Sequence, residues 1–442
     1  MMRRTLARAR RLRELQQRIG TLATARHVWR RLTERARLTP VDVVGFYRFV
    51  TQPPFGAPLP ADMKRKTIAW FIPDFDVGSG GHLNIFRLAW HLEDLGYECR
   101  IVIVGPCRYP SAQAARDVLR RHFFPLAAEV WLGADTIPPS YFSVATSWIT
   151  AYYVRAFQGA AQRIYFVQDF EPFFFPAGSE YLFAENTYRF GFYGITAGEW
   201  LAGKLAADYG MRTRAIGFAV ELDRYSPRLR RDPEIRRVFF YARPPTLRRA
   251  FEFGLLVLAE VARRLPDVKF VLAGWDVGHY VIPFAHLNAG NVALAELPDL
   301  YSQCDVALVL SCTNLSLLPL ELMACGCPVV SNRGSHVEWL LNPDIAVLAD
   351  FTVEALSEAV IALLADDARR RLLVDRGIEY ARRADWRKQA ERFAAALEDS
   401  VSQGIPTGDT PIAPGCRARP AQQPAGLDRP HTPPRANTAD NP

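Results

Sequence analysis

Through the middle of the chain, short apolar runs alternate with amphipathic stretches. Thr67–Ile72 reads as a buried strand, followed by a glycine loop and a helix from about Leu83 to Leu95. Cys99–Val104 and Ile164–Val167 are further apolar runs of strand length. Val238–Tyr241, Phe270–Ala273, Val306–Leu310 and Val329–Ser331 form a second series, tied to helices such as Gly254–Arg264 and Pro319–Ala324. Strands that are apolar throughout, each followed by a helix, predict parallel sheets covered on both faces. The series restarts near Arg237, so two Rossmann-like domains are expected, over 66–215 and 216–385, with the border around 215–235. A helix over 386–401 is expected to cross back to the first domain.

The ends of the chain read differently. Within residues 1–38, Leu12, Leu15, Ile19 and Leu22 recur at helical spacing with arginines around them. Residues 38–64 are Pro-rich and read as a linker, so 1–65 forms a basic helical arm and linker in this reading. Residues 402–442 are dense in Pro, Gly, Ala and Thr and are expected to be a disordered tail.

Composition changes this picture in two places. Residues 1–38 hold twelve arginines against Glu14 and Glu34, a net of +10, whereas the whole chain is +8. The remainder is therefore −2, and the basic balance belongs to the arm alone. That removes the main support for a nucleic-acid groove in the body and leaves an anionic membrane surface as a candidate partner of residues 1–38. A coiled coil or partner helix is the competing reading of the same stripe. Seven cysteines, sparse and odd in number, make no disulfide framework, and no apolar run of about 18 residues is present. With no visible secretory signal, a cytoplasmic, reduced protein is expected, peripheral to the membrane if the arm docks.

Three segments carry candidate chemistry. After the first strand comes Pro73-Asp-Phe-Asp-Val-Gly-Ser-Gly-Gly-His82. Gly78, Gly80 and Gly81 permit close backbone approach, and free amides at a helix start suit an anion or sugar hydroxyls. A plain tight turn is the competing reading. Asp74 and Asp76 form a DxD, but nearby sequence offers no further carboxylates, so no metal is expected. The second segment is Tyr165-Phe-Val-Gln-Asp-Phe-Glu-Pro172, at the carboxyl edge of a strand where ligands bind in such folds. Gln168, Asp169 and Glu171 are candidates to fix acceptor hydroxyls or to stabilise positive charge on a sugar ring. The aromatic run from Phe173 to Tyr193 is core or a sugar-stacking wall.

The third segment pairs two loops. Tyr241-Ala-Arg-Pro-Pro-Thr-Leu-Arg-Arg249 places Arg243, Arg248 and Arg249 after a strand. Further on, Leu315-Ser-Leu-Leu-Pro-Leu-Glu-Leu-Met-Ala-Cys-Gly-Cys-Pro-Val-Val330 puts Ser316, Leu317, Leu318 and Glu321 at the opening of a helix. Fixed guanidiniums and helix-start amides stabilise a departing diphosphate, so Arg243 and Arg248 are read as catalytic and donor-binding, and Arg249 as donor-binding. Glu321 can accept both hydroxyls of a ribose; a carboxylate placed for the helix dipole is the alternative.

Residues 237–341 resemble the donor half of retaining glycosyltransferase family 4, through Pro-Leu-Glu321, Ala-Cys-Gly-x-Pro-Val-Val and the later Glu338. Residues 67–205 resemble more narrowly the rhamnosyltransferase branch similar to the S-layer glycan enzyme WsaF. The carrying segments are the Phe71–His82 loop, Phe166-Val-Gln-Asp-Phe-Glu-Pro-Phe-Phe and Ala184-Glu-Asn-Thr-Tyr-Arg-Phe-Gly-Phe. The resemblance spans roughly 66–400. It implies an α/β GT-B fold, a cleft between the domains, no required metal or other cofactor, and retention at the anomeric carbon. It also implies dTDP-L-rhamnose as the nucleotide-sugar co-substrate and a cell-surface or lipid-linked glycan as acceptor.

Two departures bear on catalysis. The family's Glu-x7-Glu ends at Glu321, but Thr313 stands where the family has the first glutamate, which usually faces the transferring sugar; this implies either a deoxysugar donor or weakened catalysis. The family's amino-domain histidine has no match in Ala145-Thr-Ser-Trp-Ile, leaving His82, or the Asp169/Glu171 pair, as replacements. Competing expectations are therefore another nucleotide sugar, a non-catalytic GT-B glycan- or nucleotide-binding subunit, and a GT-B epimerase.

Overall fold

The computed structural model describes residues 42–134 and 136–402. The helix expected in the arm and the disorder expected after Ser402 lie outside the described residues.

The first half contains seven strands: β1 (Thr67–Ile72), β2 (Glu98–Ile103), β3 (Glu129–Leu132), β4 (Ser140–Ala145), β5 (Ala160–Val167), β6 (Tyr193–Ala197) and β7 (Thr213–Ile216). They pair in the order 3-2-1-4-5-6-7, all parallel. The second half has six: β8 (Arg237–Tyr241), β9 (Lys269–Ala273), β10 (His286–Gly290), β11 (Val306–Val309), β12 (Val329–Asn332) and β13 (Ala346–Ala349). Their order is 10-9-8-11-12-13, again all parallel. Every residue of β1 and β11 is buried, as a sheet covered on both faces requires. Both sheets reverse strand order beside their first strand, at β1/β4 and β8/β11. Ligands bind at such a switch point, outside the carboxyl ends of the strands.

Among the helices that cover these sheets are α1 (Gly80–Asp94), α2 (Trp148–Ala156), α3 (Phe251–Arg264), α4 (Leu318–Ala324) and α5 (Trp386–Ser402). α5 packs on the first sheet, with Phe393 at 5.3 Å from Trp70 and 5.6 Å from Phe166, ring centre to ring centre. Gln389 of α5 accepts a hydrogen bond from Gly217 N at 2.7 Å, just past β7. One apolar core runs through both halves, joining Phe71, Tyr165 and Val167 to Phe239, Val309 and Leu320. The opposite face of each sheet has its own core, that of the first completed by Phe393 and Leu397 of α5.

One expectation needs correction. Part of the Pro-rich stretch read as a linker is anchored: Phe49 is buried against Trp148 and Tyr152, and Phe55 packs on Phe157. Apolar residues spaced among the prolines do this, and composition alone hides them. The aromatic run after Phe173 is, as expected, largely core: Tyr188, Phe192 and Tyr193 are buried, and Phe175, Phe183 and Phe190 pack against the cores, while Phe173 is exposed.

Candidate active site

The carboxyl edges of the two sheets meet. Between β1 and α1 the chain turns through Gly78 at φ +91°, a left-handed conformation that glycine adopts without a Cβ clash. A Cβ built on Gly78 or Gly80 would have no neighbour within 4 Å, so this loop borders open space. Gln168, past β5, props the loop by donating to Gly81 O at 3.1 Å, and its Oε1 accepts from Asn84 Nδ2 at 3.1 Å. His82 turns away from that space. Its ring lies near Phe75 and Phe86, its Nδ1 is 2.8 Å from Ser79 Oγ, and burial pushes its pKa down to about 4. Asp74 and Asp76 both pair with Arg108, at 2.7 and 2.5 Å. Among the described residues no group of three or more potential metal ligands exists.

On the facing edge, the β8–α3 loop carries the three arginines into different surroundings. Arg243 donates only to neighbours on its own loop, Thr246 Oγ1 at 3.1 Å and Tyr241 OH at 3.2 Å, and has no carboxylate partner among the described residues. Arg248 crosses between the halves. Its Nε donates to Asp169 Oδ2 at 3.1 Å, and its guanidinium lies 4.1 Å from the Phe174 ring centre. Arg249 is held inside the second half by Ser311 Oγ at 2.6 Å and Asn314 O at 3.2 Å, with burial lowering its pKa. Ala250 then enters α3 at φ +49°, the one non-glycine residue with positive φ among those described. Such strain persists only where surroundings over-determine it, and the Arg249 clamp does so here.

Asp169 is the meeting point of the two halves. Its Oδ1 accepts from the backbone amides of Phe170 (2.8 Å) and Asn314 (2.9 Å), and its Oδ2 from Thr313 Oγ1 (3.0 Å) and Arg248 Nε (3.1 Å). Asn314 adds two cross-links, donating from Nδ2 to Gln168 O at 3.0 Å and Ala197 O at 2.8 Å. Glu171, only two residues on, is directed into the first half. Trp148 N at the start of α2 and Tyr165 OH occupy its two oxygens, each at 2.8 Å, and burial raises its pKa to about 7. Its geometry is that of a helix-start anchor.

Glu321 lies in α4. Burial pushes it up to about 7, while the Tyr225 hydroxyl and the Arg87 guanidinium act in the opposite direction. Ahead of it, the amides of Ser316, Leu317 and Leu318 have no acceptor among the described residues. Arg87, buried in α1, donates to Glu221 Oε1 at 2.6 Å and to Asn84 Oδ1 at 3.1 Å, and stacks 4.4 Å from the Trp386 ring centre. One polar chain thus runs from Gly81 through Gln168, Asn84 and Arg87 to Glu221, in the segment joining the halves. Arg87, Asn84, Glu221 and Asn314 are missing from the candidates taken from sequence. Asn314 adjoins Thr313 and could have been suspected; Arg87 looks like any arginine on an amphipathic helix.

This arrangement of two parallel sheets defines the class by fold: it is the GT-B fold. Sucrose-phosphate synthase from Thermosynechococcus elongatus superposes with a TM-score of 0.59 at 14% identity, covering 77% of this chain and 100% of that one. HepE of Anabaena, solved with UDP, gives 0.58 at 15% identity over 75% of this chain and 100% of its own. Staphylococcus aureus TarM gives 0.60 at 8% identity over 76% of this chain and 99% of its own. In sequence, residues 236–361 match the family model described as WsaF, C-terminal domain. The O-antigen biosynthesis protein RfbC of Myxococcus xanthus is 33% identical over 374 residues, 80% of this chain. The aligned region is 28% of that longer relative.

Proposed function

We propose that the chain is a glycosyltransferase that moves a sugar from a nucleoside diphosphate to a glycan acceptor, with retention. The observation that carries this reading is the β8/β11 switch point. There, among the described residues, the Arg243 guanidinium lacks a carboxylate, and the amides of Ser316, Leu317 and Leu318, which precede Glu321, have no acceptor. Donors already in place stabilise charge without reorganising as a diphosphate departs. In the reaction the anomeric C–O bond to the diphosphate breaks and its electron pair leaves with that oxygen. An acceptor hydroxyl oxygen bonds to the anomeric carbon from the same face and passes its proton to the departing oxygen. Arg243 and Arg248 hold the diphosphate, and Glu321 accepts from the ribose. The residues assigned here need no metal.

The rhamnosyltransferase resemblance supports L-rhamnose from dTDP-L-rhamnose as donor, and the RfbC likeness supports a cell-envelope polysaccharide or its lipid-linked precursor as acceptor. A second reading, another nucleotide sugar, draws on HepE, which was solved with UDP-glucose. Incubating the protein with dTDP-L-rhamnose and a panel of UDP-, GDP- and dTDP-sugars, and measuring nucleoside diphosphate release, separates the two. Fastest release from dTDP-L-rhamnose is expected; release from none would leave the non-catalytic subunit.

Membrane docking belongs to the same proposal. Val43, Val44 and Phe46 are exposed on the short segment that follows the arm of net charge +10, and Phe49 and Phe55 fix that segment to the first half. Basic residues near an anionic surface contribute about 1 kcal/mol each, within a Debye length. Among the described residues no helix is long and apolar enough to cross a membrane. A chain of residues 42–442 keeps the Phe49 and Phe55 packing and so removes the arm alone. The full chain is expected to float with anionic liposomes at low salt and not at high salt, with 42–442 floating less. Equal flotation of the two, or none, contradicts docking through the arm.

A further inference from the structure

A sugar losing its diphosphate develops positive charge at the ring, and the carboxylates at the facing sheet edges can be taken in turn. Glu171 has both oxygens occupied within the first half. Asp74 and Asp76 are paired with Arg108. Glu338 accepts from Gly334 N at 3.0 Å within its own turn. Glu321 lies beside Tyr225 and the Arg87 cluster, on the side assigned to the ribose. Asp169 differs from these in taking donors from both halves, and its two oxygens differ from each other. Oδ1 is fixed by two backbone amides, one from each half. Among the described residues, Oδ2 has only the side-chain donors Thr313 Oγ1 and Arg248 Nε, and side chains can rotate away.

We propose that Asp169, held from the first half by its Oδ1, supplies through Oδ2 the carboxylate that faces the transferring sugar, and that Thr313 in the second half is its obligate small, neutral partner. The inference rests on the glycosyltransferase reading and assigns to one side chain a role which that reading leaves open. A sugar hydroxyl takes the place of the Thr313 or Arg248 donor on Oδ2, and the released Arg248 guanidinium is free to turn to the diphosphate. Thr313 is 1% exposed and touches Oδ2 directly. A glutamate there would set a second carboxylate beside the first, and like charges so placed disfavour each other's ionisation. The position where the resemblance calls for glutamate is thus filled by a carboxylate from the opposite half.

The contact can be inverted. Asp169→Ser removes about the side-chain bulk that Thr313→Glu adds, so the double variant keeps summed size and returns one carboxylate to the same place from the other side. Turnover of the panel's best donor and binding of its nucleoside diphosphate are measured for the wild type, both single variants, the double variant and Asp169→Asn, with a thermal melt to confirm folding. Each single variant and Asp169→Asn are expected to lose at least about 100-fold in kcat, with nucleoside diphosphate affinity changing far less and following the carboxylate left to pair with Arg248. The double variant is expected to recover at least about tenfold in kcat over either single one, and Asp169→Asn to stay low in kcat even where its melting temperature matches the wild type, whereas for a purely structural contact kcat would follow melting temperature across the series. A folded Asp169→Asn with wild-type kcat, or a folded double variant no better than the single ones, overturns the assignment while the glycosyltransferase reading stands. A wild type that turns over no nucleotide sugar overturns both.

Discussion

Glu171 and Glu321 each lie just past a strand's carboxyl edge, one in each half, and burial pushes both up to about 7. Their surroundings separate them. Trp148 N and Tyr165 OH occupy the two Glu171 oxygens from within the first half. Glu321 has the Tyr225 hydroxyl and a ring of charge from Arg87, Glu221 and Arg224 that spans both halves. A raised carboxylate is therefore no mark of a ligand site by itself. Among the described residues, the second half's edge also carries Arg243 without a carboxylate and amides before α4 without an acceptor, the groups that the proposed diphosphate would meet.

The largest effect expected from this contrast falls on Arg243. Arg243→Ala removes a guanidinium with no carboxylate partner, so turnover should fall by roughly 100- to 1,000-fold, the scale for loss of one preorganised donor to developing charge. The melting temperature should barely move, because the side chain bonds only to its own loop. Arg248→Ala is a less clean probe, since it also strips a donor from the buried Asp169. Equal turnover of Arg243→Ala and wild type would remove Arg243 from the diphosphate site.

Glu171 provides the opposite case. Its folded pKa lies above its unfolded value of about 4.5, so its contribution to stability is complete below that value and is lost as pH rises through about 7. Over that window the wild type should lose up to about 3 kcal/mol from this group. Glu171→Gln should lack that slope and bind nucleoside diphosphate as the wild type does. Denaturant melts from pH 4.5 to 8 check this. Parallel pH profiles would show that Glu171 is not the buried anchor described, and weakened nucleotide binding would move it into the site.

Much of the fold is legible in the chain. Continuous apolar runs such as Thr67–Ile72 and Val306–Leu310 announce fully buried parallel strands, and the restart near Arg237 marks the second sheet. β10 (His-Leu-Asn-Ala-Gly) and β6 (Tyr-Gly-Ile-Thr-Ala) escape such a reading: neither is a continuous apolar run, and β10 is an edge strand buried less on both faces. At the site, the loops bearing Gly78, Asp169, Arg243 and Glu321 stand out because glycines and charged residues interrupt apolar strands at their carboxyl ends. Sequence spacing could not separate Asp169 from Glu171, two residues apart, because the chain turns between them into a short 3-10 segment. Nor could it show that Arg249 clamps Ser311 and Asn314 while Arg243 does not, since that depends on contacts some sixty residues away in sequence.

A nucleoside diphosphate seated at the second half's edge is central to the proposed activity, and calorimetric titration of dTDP and UDP into the wild type and Glu321→Gln probes that seat directly. Ribose hydroxyls donate to the ionised carboxylate, so binding favours the charged form and wild-type affinity should rise as pH passes through about 7. Titration of the diphosphate itself will appear in both proteins, so the difference between them is what counts. At pH 8 one site per chain is expected, with a roughly ten- to a hundred-fold weaker Kd for Glu321→Gln, as loss of a charged hydrogen bond of about 1.5–3 kcal/mol entails. No binding by the folded wild type, or equal affinity of the two proteins at every pH, would contradict a ribose seat at Glu321.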